Sequence, residues 1–211
     1  MLSLDIHKAF PGLNLNVKLG LPIGKITGLN GPSGTGKSTL FKLIAGLSPL
    51  DAGTISFQNT LWNKNSTILV PPQQRNCGIV FQNYVLFPHL SIEENIRFGT
   101  QTHDQNYYQE LVNTLEIDQY ISKNITVLSG GQQQRIAIAR ALFQSAKILL
   151  LDEPFTALDS RLKEISINLI LTHQIKYPST IIIASHDLDA LKQLTSNNMV
   201  LDNGQIYQET L

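Results

Sequence analysis

The stretch Gly31-Pro32-Ser33-Gly34-Thr35-Gly36-Lys37-Ser38-Thr39 narrows the possible folds of this chain more than any other. It fits the pattern G-x-x-x-x-G-K-S/T, a loop whose backbone cradles phosphate groups. Gly31, Gly34 and Gly36 let the main chain turn tightly and approach a ligand closely. The amide N–H groups then line a concave anion site. A helix must begin near Lys37, so that its positive dipole end faces the phosphates. Lys37 adds a mobile charge for the outer phosphates, and Ser38 offers a hydroxyl to Mg²⁺, which takes few protein ligands. The flanks agree with this reading. Ile26 to Leu29 is a short apolar run, read as a buried strand. Leu40, Leu43, Ile44 and Leu47 recur at helical spacing beyond the loop.

The remaining chain reads as alternating strands and helices. Leu2, Leu4 and Ile6 alternate with polar residues, as do Leu13, Leu15, Val17 and Leu19, with Pro11-Gly12 between them. This predicts a small antiparallel layer ahead of the loop. Phe10 closes the first strand, either as a flat surface for adenine or as a packing aromatic. Gly53–Phe57 and Leu61–Trp62 read as strands joined at Gln58-Asn59, and Asn63 to Asn65 as an exposed excursion. Gly78 to Phe81 is a core strand ending at Gln82. Ser91-Ile92-Glu93-Glu94 is a capping box, with Leu90 as its expected staple. Tyr108, Leu111, Val112 and Leu115 mark an amphipathic helix, and residues 88–127 look like a helical insertion.

Gly130-Gly131 precedes a helix in which Ile136, Ala139 and Phe143 share a face. The continuous apolar runs Ile148–Leu151 and Thr180–Ala184 suit parallel strands buried on both sides. Leu162, Ile165 and Leu169 give a helix between them. Asp187 is placed to cap the next helix, and Asp202-Asn203-Gly204 to turn a final hairpin.

Composition excludes several classes. Sixteen basic and sixteen acidic side chains balance, so no general polyanion surface is expected. The single cysteine, Cys77, excludes an internal disulfide framework and fits a reducing compartment. No apolar run reaches the ~18 residues of a membrane-spanning helix. The first residues lack the layout of a signal peptide, so the expected setting is cytosolic.

Taken in order, the phosphate loop, Gln82, Leu128-Ser129-Gly130-Gly131-Gln132, Leu149-Leu150-Leu151-Asp152-Glu153-Pro154, Ala157-Leu158-Asp159 and His186 resemble the ATP-binding subunits of ABC transporters. The resemblance covers essentially the whole chain. It implies an α/β fold: a P-loop NTPase core of mostly parallel sheet flanked by helices, with the antiparallel layer and a helical subdomain. Residues 1–87 and 136–211 would form the core and layer, and residues 88–135 the helical signature subdomain. With the chain reaching Leu211 just past the last hairpin, no C-terminal regulatory domain is expected.

The resemblance also implies roles. Asn30 to Thr39 would bind ATP, with Phe10 stacking on adenine, although Tyr or Trp is usual there. Asp152, Ser38 and Gln82 would serve Mg²⁺. Glu153 would orient the attacking water and His186 would bond the γ-phosphate. Lys37 and Gln82 would complete the catalytic set. Ser129, Gly130, Gly131 and Gln132 would contact ATP bound by a second copy, since two bare glycines at a helix start make another anion site. Asp159 would lie at that subunit interface.

One loop and one signature per chain imply a head-to-tail homodimer with two sandwiched ATP molecules. Pro71 to Arg75, Gly78 to Gln82 and Leu86 to Leu90 resemble importer ATPases, those for molybdate and related oxyanions most of all. The region Gln82–Leu90 would receive an integral-membrane permease, with a substrate-binding protein as an indirect partner and no nucleic acid. The protein would then sit peripherally on the cytoplasmic face of the membrane. An ABC exporter ATPase, or a soluble ABC-type ATPase, is the alternative.

Overall fold

The structure, a computed structural model, describes residues 1–100 and 104–209. Two expectations therefore fall partly outside it: the helical region at 101–103, and the chain end at Leu211. The layer begins with β1 (Leu2–Phe10) and β2 (Leu13–Leu21), paired antiparallel across Pro11-Gly12. Their alternation puts Leu2, Leu4, Ile6, Leu15 and Val17 inward. Next come β3 (Ile26–Asn30), the phosphate loop and α1 (Lys37–Ala45). The chain then returns to the layer as β4 (Ala52–Phe57), β5 (Thr60–Lys64) and β6 (Thr67–Ile68). Gln58 and Asn59 both adopt positive φ, the signature of a tight hairpin turn. After β7 (Cys77–Val80) the chain is helical: α2 (Ile92–Arg97), α3 (Gln105–Thr114) and α4 (Gly130–Phe143). It closes with β8 (Ile148–Asp152), α5 (Ser160–Lys176), β9 (Thr180–Ala184), α6 (Leu188–Leu194), β10 (Asn198–Asp202) and β11 (Gln205–Glu209).

The layer is one antiparallel sheet in the order β2-β1-β4-β5-β6. The core sheet runs β11-β10-β3-β9-β8-β7 and is parallel except at the β11 edge. Every residue of β8 and β9 is buried, as expected of central parallel strands. One apolar cluster joins the layer to α1 and one face of the core sheet, and a second joins the other face to α3, α4 and α5. The register pairs Leu29 and Asp152 with Ala184, and Val80 with Leu151. Four strand ends, and the loops leaving them, therefore meet at one edge of the sheet, where open α/β folds bind ligands.

A buried arginine ties α1 to this framework. Arg75 donates to Val70 O (2.9 Å), to Ile44 O at the end of α1 (2.6 Å) and to Asn63 Oδ1 (2.7 Å), and its guanidinium lies 5.1 Å from the Trp62 ring centroid. Burial pushes its pKa down to about 10. The C-terminal carbonyls of a helix suit a cation.

The structure corrects four expectations. Asn63 is buried, because a bulge opposite Ile55 and Ser56 turns Trp62 and Asn63 inward together; of the expected excursion, Lys64 and Asn65 are exposed. Leu47 lies past the end of α1 and is 52% exposed. The staple partner of Leu90 is polar: Asn95, not an apolar residue, stands there, and its Nδ2 donates to Leu90 O (3.3 Å). Gly130 and Gly131 form the first residues of α4 rather than preceding it, and that helix is buried all round from Ile136 to Phe143 instead of along one face.

Candidate active site

Among the described residues, five of the six α-helices carry a side-chain N-cap: Ser91, Asp104, Ser129, Asp159 and Asp187. The exception is α1. Gly36 occupies its N-cap position at φ 103° and supplies no side-chain acceptor. The first-turn amides of α1 are thus left for an anion. The loop itself is braced from within. Gly31 N donates to Asn30 Oδ1 (2.7 Å) and Thr35 Oγ1 donates to Pro32 O (3.0 Å). Gly31 adopts φ 144°, and a Cβ there would lie 2.1 Å from Leu201 O. Lys37 Nζ folds back onto Gly31 O (2.6 Å) and Pro32 O (3.0 Å). An ammonium held by two carbonyls gains by exchanging them for phosphate.

A cleft of about 410 Å³ is lined by Phe10 and Leu13, by Ser33, Gly34, Gly36, Lys37, Ser38 and Thr39, and by Gln82, Asp152 and Glu153. Asp152 ends β8 and is buried. Burial raises its pKa, and the Ser38 hydroxyl bonded to it opposes that rise. Ser38, Asp152 and Gln82 together offer hydroxyl, carboxylate and amide oxygens, a hard donor set that fits Mg²⁺.

Glu153 follows Asp152 in the left-handed region, at φ 50°. Its Oε2 lies 2.9 Å from His186 Nδ1 and 3.5 Å from Ser185 Oγ. The Glu153 side chain is 13% exposed and that of His186 70%. Both residues also line a second cleft of about 200 Å³, with Ser185, Asp187, Leu158 and Lys163.

Other residues singled out in the sequence stand apart from these clefts. Asn30, Gly31, Pro32 and Thr35 brace the loop through the hydrogen bonds given above. Ser129 and Gln132 form a reciprocal capping box, Ser129 Oγ accepting from Gln132 N (3.3 Å) and Gln132 Oε1 from Ser129 N (3.0 Å). Ser129 and Gly130 are exposed, so this turn faces outward. Asp159 is exposed and caps α5 by accepting from Leu162 N (2.9 Å).

Sequence reading missed Gln134 and Arg140. Gln134 Nε2 donates to Glu153 O (2.9 Å) and its Oε1 accepts from Ala157 N (2.8 Å). Arg140 donates to Val85 O (2.9 Å) and Tyr84 O (3.1 Å). Gln134 is one of three consecutive glutamines, and periodicity does not separate it from its neighbours.

Comparison with known proteins agrees with this architecture. The family model described as ABC transporter matches residues 15–156. Among curated proteins, the molybdenum import ATP-binding protein ModC of Shewanella sp. (strain MR-4) is 38% identical over 211 residues, 99% of this chain. The match covers 58% of that protein, so this chain spans little more than half its length. The probable sulfate/thiosulfate import ATP-binding protein CysA of Chlorella vulgaris is 36% identical over 95% of this chain and 84% of its own. Among solved structures, dimeric MJ0796, a bacterial ABC transporter cassette, superposes with a TM-score of 0.86 at 26% identity, covering 100% of this chain and 98% of its own. A phosphate loop at a parallel sheet edge, an outward-facing Ser-Gly-Gly turn and this match together place the chain in the ABC transporter family, as one of its nucleotide-binding cassettes.

Proposed function

We propose that this chain is the ATP-hydrolysing motor subunit of an ABC importer for a small oxyanion, with molybdate the leading candidate. It would work as a nucleotide-sandwich homodimer docked on a membrane permease, whose binding protein selects the solute. The carrying observation is the uncapped start of α1 set beside Asp152, Glu153 and His186 at one sheet edge. The names of the curated relatives support the importer and the oxyanion.

The cassette is read as one unit, with residues 88–135 as the helical subdomain that presents the signature. Loop amides and Lys37 bind the phosphates, and Phe10 stacks on adenine. Ser38, Gln82 and Asp152 would hold Mg²⁺, which supplies charge neutralisation on the transferring phosphoryl group. Glu153, fixed by His186 at 2.9 Å, orients the attacking water; His186 is then positioned to bond the γ-phosphate. The exposed Ser129 and Gly130 would reach a partner copy's nucleotide, with Gly131 completing the turn, and the exposed Asp159 would lie at the subunit interface.

A groove of about 270 Å³ is lined by Leu47, Ile79, Phe81, Val85, Phe87 and Phe98, with Arg140 within it. Its exposed Phe98 and Val85 suit an apolar helix of the permease, docked beside Gln82–Leu90. Such docking would hold the chain peripherally on the membrane's cytoplasmic face; among the described residues no helix is long and apolar enough to cross a membrane.

Glu153→Gln tests the reading. The variant should keep nucleotide binding, lose about 10²–10⁴-fold in turnover and accumulate as an ATP-bound dimer on size-exclusion chromatography. Full turnover would remove Glu153 from its role. Stimulation of ATP turnover by molybdate, in vesicles holding the permease and binding protein, tests the substrate; stimulation by sulfate alone would redirect it.

A further inference from the structure

We infer that Gln134 is a positioning residue for hydrolysis: its buried side chain locks the Glu153 peptide to the helix that begins at the signature turn. The inference rests on the reading of Glu153 as the residue that orients water. Gln134 is 0% exposed, and both ends of its amide are spent on the loop after β8. Nε2 donates to Glu153 O (2.9 Å), and Oε1 accepts from Ala157 N (2.8 Å).

Glu153 needs such a clamp. A residue with a side chain is disfavoured at φ 50° and persists there only when its surroundings fix it. One side of its peptide is fixed by β9, since Glu153 N donates to Ala184 O (2.8 Å). The other side depends on Gln134, with a longer bond from Thr156 Oγ1 (3.3 Å) to the same carbonyl. The direction of the Glu153 carboxylate follows from this peptide plane.

A second contact binds the same loop to the same helix. Gly131 packs so closely on Ala157 that a Cβ would lie 2.6 Å from Ala157 O. The loop from Glu153 to Ala157 is thus pinned twice by the opening turns of α4, once by a bare glycine and once by Gln134. Any swing of the signature turn must carry that loop, and Glu153 with it.

The test compares Gln134→Leu and Gln134→Glu, each alone and with Glu153→Gln, in the full chain. Leucine removes both bonds. A glutamate keeps an acceptor for Ala157 N and, once ionised, offers no donor to Glu153 O. Its protonated form would restore that bond, so the deficit of this variant should deepen as pH rises through the ionisation of the buried carboxyl. Both should lower kcat, by about 10²-fold for a displaced catalytic group, while KM for ATP and nucleotide Kd stay within about twofold. In the Glu153→Gln background neither should slow the residual rate further, because the group they position is gone. A wild-type kcat with only a lowered Tm would overturn the inference. So would an equal slowing in both backgrounds. If Gln134→Leu fails to fold, Gln134→Glu decides by the same comparison. Full turnover by Glu153→Gln alone would instead defeat the underlying reading, so the two failures are distinguishable.

Discussion

His173 on α5 is a titratable group held away from water. Its ring is buried against Tyr107 of α3 and Tyr177, and Nδ1 lies 2.7 Å from the Tyr107 hydroxyl. Nε2 is buried with no hydrogen-bond partner among the described residues. The charged group facing it is Lys176, whose ammonium sits over the Tyr107 and Tyr177 rings. Burial, helped by Lys176, holds the imidazole down from 6.5 to about 4. The folded protein therefore binds this proton later than the unfolded chain does. Stability from this site is complete above pH 6.5 and is lost as pH falls toward 4. At about 1.4 kcal/mol per pKa unit the full loss is roughly 3 kcal/mol, of which about 2 kcal/mol is gone by pH 5.

His173→Phe keeps the stacked ring and removes the proton site. It should cost about 1–3 kcal/mol at pH 7, because Tyr107 loses its partner. Urea unfolding followed by circular dichroism at pH 7 and pH 5 measures both effects. Wild type should lose about 2 kcal/mol more than the variant over that interval. Parallel losses in the two proteins would refute the reasoning.

Two further substitutions test the frame of the site. Gly31→Ala sets a Cβ 2.1 Å from Leu201 O at φ 144°, so the loop must shift away from β10; nucleotide affinity measured by fluorescence titration should fall at least tenfold, a change of about 1.4 kcal/mol. Unchanged affinity would mean the loop tolerates a different path. Arg75→Met strips Ile44 O, Val70 O and Asn63 Oδ1 of their donor, and should lower stability by about 3 kcal/mol, or about 10 °C in Tm by calorimetry.

Local signals carried much of the fold into view. The phosphate loop, the fully apolar β8 and β9, and the caps at Ser91 and Asp187 each follow from near neighbours in sequence. What stayed hidden depends on distant contacts. Asn63 reads as exposed until a bulge in β5 turns it toward Arg75, twelve residues on. Leu47 fits the helical period of α1, but Gly46 at φ 78° ends the helix first. At the site, Asp152, Glu153 and His186 were legible because each leaves a recognisable strand end. Gln134 was not, because its partners lie 19 and 23 residues ahead and its own neighbours are also glutamines.

Helix α4 has the farthest reach. At its outer tip stand Ser129 and Gly130, the latter beside the Tyr84 hydroxyl, 3.5 Å from where its Cβ would be. One turn in, Gln134 grips the loop of Glu153; further along, Arg140 holds the carbonyls of Tyr84 and Val85 at the rim of the apolar groove. On the reading proposed above, three stations along this one helix would serve a neighbouring copy, the carboxylate of Glu153 and a membrane partner. A shift at one station would then be felt at the other two, as the ends of a lever answer its handle.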